Sequence, residues 1–191
     1  MGIRKARNPE PVPWRIYMKK LEEYVITIPD FPEEGIMFRD ITGILKDAEG
    51  IRLAEEELMA KLEGVEFDAI VGLESRGFLF GMPMAYSMRK PFIPIRKKGK
   101  LPRETVERTY DLEYGTATIE VHKEDVYEGM RLVLVDDLLA TGGTMEAACK
   151  LVESLGGKVV KVLFLLELEG LNGRAKLEDY DVESIVKYPG K

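Results

Sequence analysis

The sequence predicts an α/β protein with a mostly parallel central sheet flanked by helices. Three observations predict it. Segments 68–73, 131–135 and 159–166 are short, continuous apolar runs rich in Val, Ile and Leu. Such strands are buried on both faces, as in a parallel sheet covered by helices. Helically spaced segments alternate with these runs, which is the pattern of a doubly covered sheet. Polar or Gly-rich residues follow several of the runs, where open α/β sheets place their sites.

The elements follow in order. Residues 1–17 read as an N-terminal extension in which Pro9, Pro11 and Pro13 block regular structure, and 18–191 as one domain. Trp14, Tyr17, Met18, Leu21, Tyr24 and Val25 recur at helical spacing and predict a helix over 14–25. A turn-rich loop follows over 29–35. A helix over 48–63 aligns Ile51, Ala54, Leu58 and Leu62, and Gly64 stops it. Then come a strand over 68–73, a helix over 78–89 and a strand over 92–95. Ala117, Ile119 and Val121 alternate, predicting a half-exposed strand over 116–121. The chain closes with a strand over 131–135, a helix over 144–155 stopped by Gly156-Gly157, and strands over 159–166 and 182–186.

Composition excludes several classes. The 191 residues carry 28 basic and 34 acidic side chains, a net charge of −6. Nucleic acid and anionic membranes reward a basic surface, so neither is expected as a partner. The single cysteine, Cys149, excludes an intrachain disulfide and a Cys-rich zinc site. No apolar run approaches the ~18 residues of a membrane helix. The basic start runs into Asn8-Pro9 rather than an apolar core, so a cytoplasmic protein is expected.

The most informative segment is Asp136-Asp137-Leu138-Leu139-Ala140-Thr141-Gly142-Gly143-Thr144. Its two glycines allow backbone N–H groups to turn inward as an anion nest. A helix N-terminus and the Thr141 and Thr144 hydroxyls add further donors. The loop therefore suits a phosphate monoester. The paired carboxylates would repel phosphate but suit a vicinal diol that donates to them. A ligand with a phosphate at one end and a ribose diol at the other fits both halves. An ordinary strand–helix turn would explain the Gly-Gly alone, but not the whole segment. The P-loop spacing, with Lys before Ser or Thr, is absent from it.

Three further stretches stand beside this one. They are Phe38-Arg39-Asp40, Glu74-Ser75-Arg76-Gly77-Phe78, and Arg96-Lys97-Lys98-Gly99-Lys100 leading to Leu112-Glu113-Tyr114-Gly115. Together the four resemble the adenine phosphoribosyltransferases, within the type I phosphoribosyltransferases, over about residues 18–188. The resemblance implies transfer from 5-phosphoribosyl 1-diphosphate (PRPP) to adenine, giving AMP and pyrophosphate. It implies a small N-terminal hood over about 18–45 and a lid over about 97–115. It places the ribose and 5′-phosphate on Asp136, Asp137, Ala140, Thr141, Gly142, Gly143 and Thr144. Pyrophosphate falls to Glu74, Ser75, Arg76, Arg96, Lys97 and Lys100, with a cis peptide at Glu74-Ser75. Adenine falls to Met37, Phe38 and Arg39, read largely through backbone groups. Glu113, Tyr114 and Arg76 are the expected catalytic residues. Mg²⁺ is the expected cofactor, bound through substrate and water and not directly by the protein. A homodimer is expected, with the basic cluster serving the partner's site. A 6-oxopurine enzyme is one rival; a DNA-binding regulator is another, for which 17 leading residues are too few for a winged helix. His122, the only histidine, and Cys149 fall outside these loops and read as structural.

Overall fold

The computed structural model describes residues 19–112 and 115–190. Two strands, β1 (Ile26–Pro29) and β2 (Met37–Asp40), pair antiparallel as a hairpin. The main sheet holds β3 (Ala69–Leu73), β4 (Phe92–Lys97), β5 (Thr105–Asp111), β6 (Thr116–His122), β7 (Arg131–Leu139), β8 (Lys158–Leu168) and β9 (Val182–Tyr188). Their order is β5-β6-β4-β3-β7-β8-β9. The five strands from β4 to β9 run parallel. The edge pair β5–β6 is antiparallel to each other, and β6 is antiparallel to β4. The helices are α1 (Thr42–Leu45), α2 (Ala48–Ala60), α3 (Gly77–Ser87) and α4 (Gly143–Glu153).

The central strands β3, β7 and β8 are buried on both faces, which explains the continuous apolar runs. Leu132 and Leu134 of β7 pack in a layer with Phe164 and with Met145, Ala148 and Val152 of α4. Val133 and Val135 point the other way, into a layer with Leu58 of α2 and Phe80 and Met84 of α3. Successive residues thus serve opposite layers, as strand geometry requires. Truncating one of these fully buried side chains, such as Leu134→Ala, is worth about 2–5 kcal/mol of stability. Asp47 caps α2, its side chain accepting the Glu49 N–H at 2.9 Å.

Three sequence expectations change. In place of a helix over 14–25, the described part holds one 3-10 turn, Leu21–Tyr24, followed by β1. Leu21 and Tyr24 are both buried, and a three-residue apolar spacing fits a 3-10 turn as well as an α-helix. Ile51, expected on the buried face of α2, is exposed. The 97–115 segment is also more regular than a loop. Its residues 105–111 pair with β6 along their whole length, from Thr105↔His122 to Asp111↔Thr116. Val106 and Tyr110 alternate inward and pack on the α4-side layer. Glu113 and Tyr114 lie outside the described residues.

Candidate active site

The site is built around the end of β7. This strand runs past Val135 because β8 continues beside it, pairing Asp136 with Phe164 and Leu138 with Leu166. Asp136 and Asp137 are therefore held in strand geometry. Asp137 is only 4% exposed. Its N–H donates to Asp136 Oδ1 at 2.9 Å, and Arg76 Nε lies 3.0 Å from its Oδ2. Burial raises the Asp137 carboxyl above its ordinary range, against the Arg76 charge. Asp136 is raised further, by burial and then by the neighbouring Asp137 charge. Two carboxyls this close and this dry favour keeping a proton until a ligand replaces it. Gly77, the first residue of α3, makes this packing possible. A Cβ there would stand 2.7 Å from the Val135 carbonyl oxygen and 3.0 Å from Asp136 Oδ1.

After Leu139 the chain turns through Ala140, Thr141 and Gly142 into α4. Gly142 adopts φ +79°, and a Cβ there would meet the Gly173 carbonyl oxygen at 2.4 Å. Only glycine satisfies both the left-handed backbone and the close contact. A pocket of about 80 Å³ opens here, lined by Asp136, Thr141, Gly142, Gly143 and Thr144 among others. Its polar rim and the α4 N-terminus suit an anion.

A second cleft of about 250 Å³ adjoins it, lined by Glu74, Ser75, Arg76, Lys97, Tyr110, Asp136, Asp137 and Thr144. Glu74, Ser75 and Arg76 form the turn between β3 and α3, and the Glu74-Ser75 peptide is cis. Glu74 is not a free anion facing the cleft. Its oxygens accept from Arg96 Nε at 3.1 Å, Arg96 Nη2 at 3.2 Å and the Lys97 N–H at 2.9 Å. Burial pushes its carboxyl up, but these donors outweigh that and hold it below its ordinary range. Lys100 joins through its carbonyl, which accepts from Arg96 Nη1 at 3.3 Å.

The structure thus brings Asp136, Asp137, the 140–144 loop, the Glu74–Arg76 turn and Lys97 together around these two clefts, while Arg96 and Lys100 stand behind Glu74 and do not line the second. Met37, Phe38 and Arg39 stand apart on β2 and do not line that cleft. Met37 is exposed. Phe38 meets Phe31 edge-on at 5.2 Å. Arg39 lies over the Tyr188 ring at 4.0 Å and donates to Thr27 Oγ1. Hydrogen bonds from Thr42 hold the Asp40 carboxyl low, with smaller contributions from the Lys46 and then the Arg76 charge. Tyr110 falls in the segment expected as a lid, but its contact with the phosphate loop, its hydroxyl 3.1 Å from Thr144 Oγ1, was not foreseen. The inward alternation of Val106, Arg108 and Tyr110 was the available signal. Tyr188 closes β9 under Arg39. His122 is buried at the end of β6 and Cys149 is buried in α4.

Comparison with known proteins agrees with this architecture. The phosphoribosyl transferase domain family matches residues 42–188. An adenine phosphoribosyltransferase of Agathobacter rectalis is 63% identical over 174 residues, covering 91% of this chain and all of the relative. The crystal structure of the Thermoanaerobacter pseudethanolicus adenine phosphoribosyltransferase superposes with a TM-score of 0.85 at 54% identity, covering 88% of this chain and all of that one. The Saccharomyces cerevisiae enzyme, crystallised with an imino-altritol bisphosphate and adenine, superposes with a TM-score of 0.83 at 39% identity, covering 88% and 98% of the two chains. With a shared fold and this identity over nearly its whole length, the chain belongs to the adenine phosphoribosyltransferase family.

Proposed function

We propose that this protein transfers the 5-phosphoribosyl group of PRPP to N9 of adenine, a purine salvage reaction yielding AMP and pyrophosphate. One observation carries the reading: a carboxylate pair, a glycine-rich anion loop and a cationic turn meet around adjoining clefts. In the reaction the C1–O bond to pyrophosphate breaks, the C1–N9 bond forms and N9 loses its proton. Asp136 and Asp137 accept from the ribose diol and face the positive charge that develops on the sugar. The 140–144 loop anchors the 5′-phosphate. Arg76, Arg96, Lys97 and Lys100 stabilise the departing pyrophosphate, with the backbone of Glu74 and Ser75 shaping that pocket. Catalysis of this kind is positioning and electrostatics.

Met37, Phe38 and Arg39 form the adenine side, with Phe38 stacking on the purine. Glu113 handles the purine proton, together with Tyr114. The paired carboxylates are hard oxygen donors that suit Mg²⁺ bound mainly through water and substrate oxygens. Among the described residues no group of three or more His, Cys, Asp or Glu could cage a metal. When bound, Mg²⁺ supplies neutralising charge on the diphosphate.

The working form in this reading is a homodimer in the cytoplasm. Leu79, Met82 and Tyr86 of α3 are 45%, 52% and 83% exposed at successive turns of one helical face, an apolar stripe that a second copy would cover. Sedimentation of the wild type and of Met82→Glu tests this; a wild-type monomer would sink it. The reaction itself is tested by offering adenine, hypoxanthine, guanine and xanthine separately with PRPP and Mg²⁺. AMP from adenine, with no comparable turnover of the others, is expected. Comparable turnover of hypoxanthine or guanine would overturn the base assignment.

A further inference from the structure

We infer that Glu120 is a positioning residue for pyrophosphate, its buried carboxylate fixing the basic turn that carries Lys100. The inference rests on the phosphoribosyl-transfer reading above. Glu120 sits on β6, opposite Arg96 of β4 and Glu107 of β5 in the sheet register. Its neighbours Ile119 and Val121 belong to the α4-side core, so strand alternation turns Glu120 to the other face. There it is only 2% exposed. A carboxylate does not remain buried without compensating donors.

The donors come from the basic turn. One oxygen, Oε1, accepts the Lys100 N–H at 2.7 Å and the Leu101 N–H at 2.8 Å. Burial pushes the Glu120 carboxyl up, but backbone N–H groups of Gly99, Leu101 and Lys100 outweigh it and hold it below its ordinary range. It is therefore an anion at neutral pH. The other side of the same peptide is also tied, because Lys100 O accepts from Arg96 Nη1. Arg96 in turn grips Glu74. The connection runs unbroken from the Glu74 turn through Arg96 and Lys100 to Glu120.

The cations of this turn divide into two groups. Lys98 pairs with Glu107, and Arg103 with Glu124 and Asp125. The Lys97 and Lys100 ammonium groups have no carboxylate partner among the described residues. Lys97 lines the cleft, and the Lys100 charge acts on Glu74 at its edge; uncommitted cations so placed are suited to an anionic ligand, provided the backbone under them is fixed. Glu120 supplies that fixing at Lys100. The ordering cost then falls on folding rather than on binding.

The test compares Glu120→Ala and Glu120→Gln with wild type. AMP formation from PRPP and adenine, the reverse reaction from AMP and pyrophosphate, pyrophosphate binding by calorimetry and thermal melting are all measured. In Glu120→Ala the KM values for PRPP and pyrophosphate rise about tenfold, while those for adenine and AMP stay within about twofold. Glu120→Gln keeps an acceptor oxygen at the Oε1 position and restores pyrophosphate binding to within about threefold. Wild-type pyrophosphate constants in a folded Glu120→Ala, or an equal rise for all four substrates, would overturn the inference. So would a Glu120→Gln as weak as Glu120→Ala. If Glu120→Ala does not fold, Glu120→Asp serves: its charge remains but its oxygen is withdrawn by one methylene. The same selective loss is expected there, and wild-type constants would overturn the inference. A wild type that binds pyrophosphate but forms no AMP would instead sink the transfer reading. Calorimetry on the same variants would still decide the role of Glu120.

Discussion

The end of β7 and the β1–β2 hairpin approach the site by different means. Asp136 to Thr144 is one uninterrupted stretch, gripped by β8, by Gly77 of α3 and by Gly173. Met37–Arg39 lies on a two-stranded hairpin whose β1 residues are all exposed, steadied at Arg39 by Thr27 and the distant Tyr188. A contiguous strand–loop–helix can carry its chemistry in side-chain identity. A hairpin tethered by remote contacts carries less in its sequence, and in the proposed function its recognition of a flat base falls largely to backbone groups. The comparison predicts that substitutions at the β7 end act sharply on PRPP. Substitutions at the hairpin act on adenine and leave PRPP alone.

The largest expected effect is at Asp137. Asp137→Asn removes a charged acceptor from the diol and a partner from Arg76, so PRPP use falls by about 10²-fold or more. Stability does not fall with it. The raised carboxyls of Asp136 and Asp137 mean that the folded state binds more protons than the unfolded one above the ordinary carboxylate range. Stability contributed by this pair therefore declines as pH rises through that window. Replacing one carboxylate by an amide removes this penalty, so the Tm at neutral pH equals or exceeds that of wild type. Diol binding has the opposite dependence, since the pair must give up its proton to accept from two hydroxyls. PRPP affinity rises with pH in the same window; a falling affinity would contradict the assignment.

Gly142→Ala comes next. The left-handed φ and the Gly173 contact together cost about 1–3 kcal/mol, read as a lower Tm with a raised KM for PRPP. Tyr110→Phe is milder. Loss of the hydroxyl contact to Thr144 costs about 0.5–1.5 kcal/mol, or roughly two- to tenfold in the KM for PRPP, with adenine unaffected. The smallest kinetic effect belongs to Glu55 on α2. Both its oxygens are buried without a hydrogen-bond partner among the described residues, and burial pushes its carboxyl from 4.5 up to about 8. The folded state holds this proton longer than the unfolded chain. Wild-type stability thus falls from about pH 4.5 to about pH 8, by up to about 1.4 kcal/mol per pH unit. Glu55→Gln flattens that decline and leaves kinetic constants unchanged; an unaltered pH profile would show the carboxyl to be paired.

What was legible in the sequence follows the same division. The strands of the parallel sheet were legible because both faces are buried, so every residue of Val133-Leu134-Val135 reports on the core. The carboxylate pair and the glycine loop were legible because their residue types stand together in one run of sequence, although Arg76, Gly77 and Gly173 hold them from afar. The hairpin was not, since Ile26 and Ile28 are exposed and carry no burial pattern. The Tyr110 contact was not, because its partner Thr144 is 34 residues away. Glu120 was hidden for a related reason. It looks like the polar half of an alternating strand, and only the folded turn over it shows that it is buried.

The central claim is that the end of β7 holds the diol and phosphate of PRPP as one unit, independently of the hairpin. Equilibrium PRPP binding with Mg²⁺, measured by calorimetry on wild type, Asp137→Asn and Phe38→Ala alongside their melting curves, tests it most directly. The account predicts that Asp137→Asn loses PRPP affinity by about 10²-fold without a lower Tm, and that Phe38→Ala binds PRPP as wild type does. Wild-type PRPP affinity in Asp137→Asn, or an equal loss in Phe38→Ala, would contradict it.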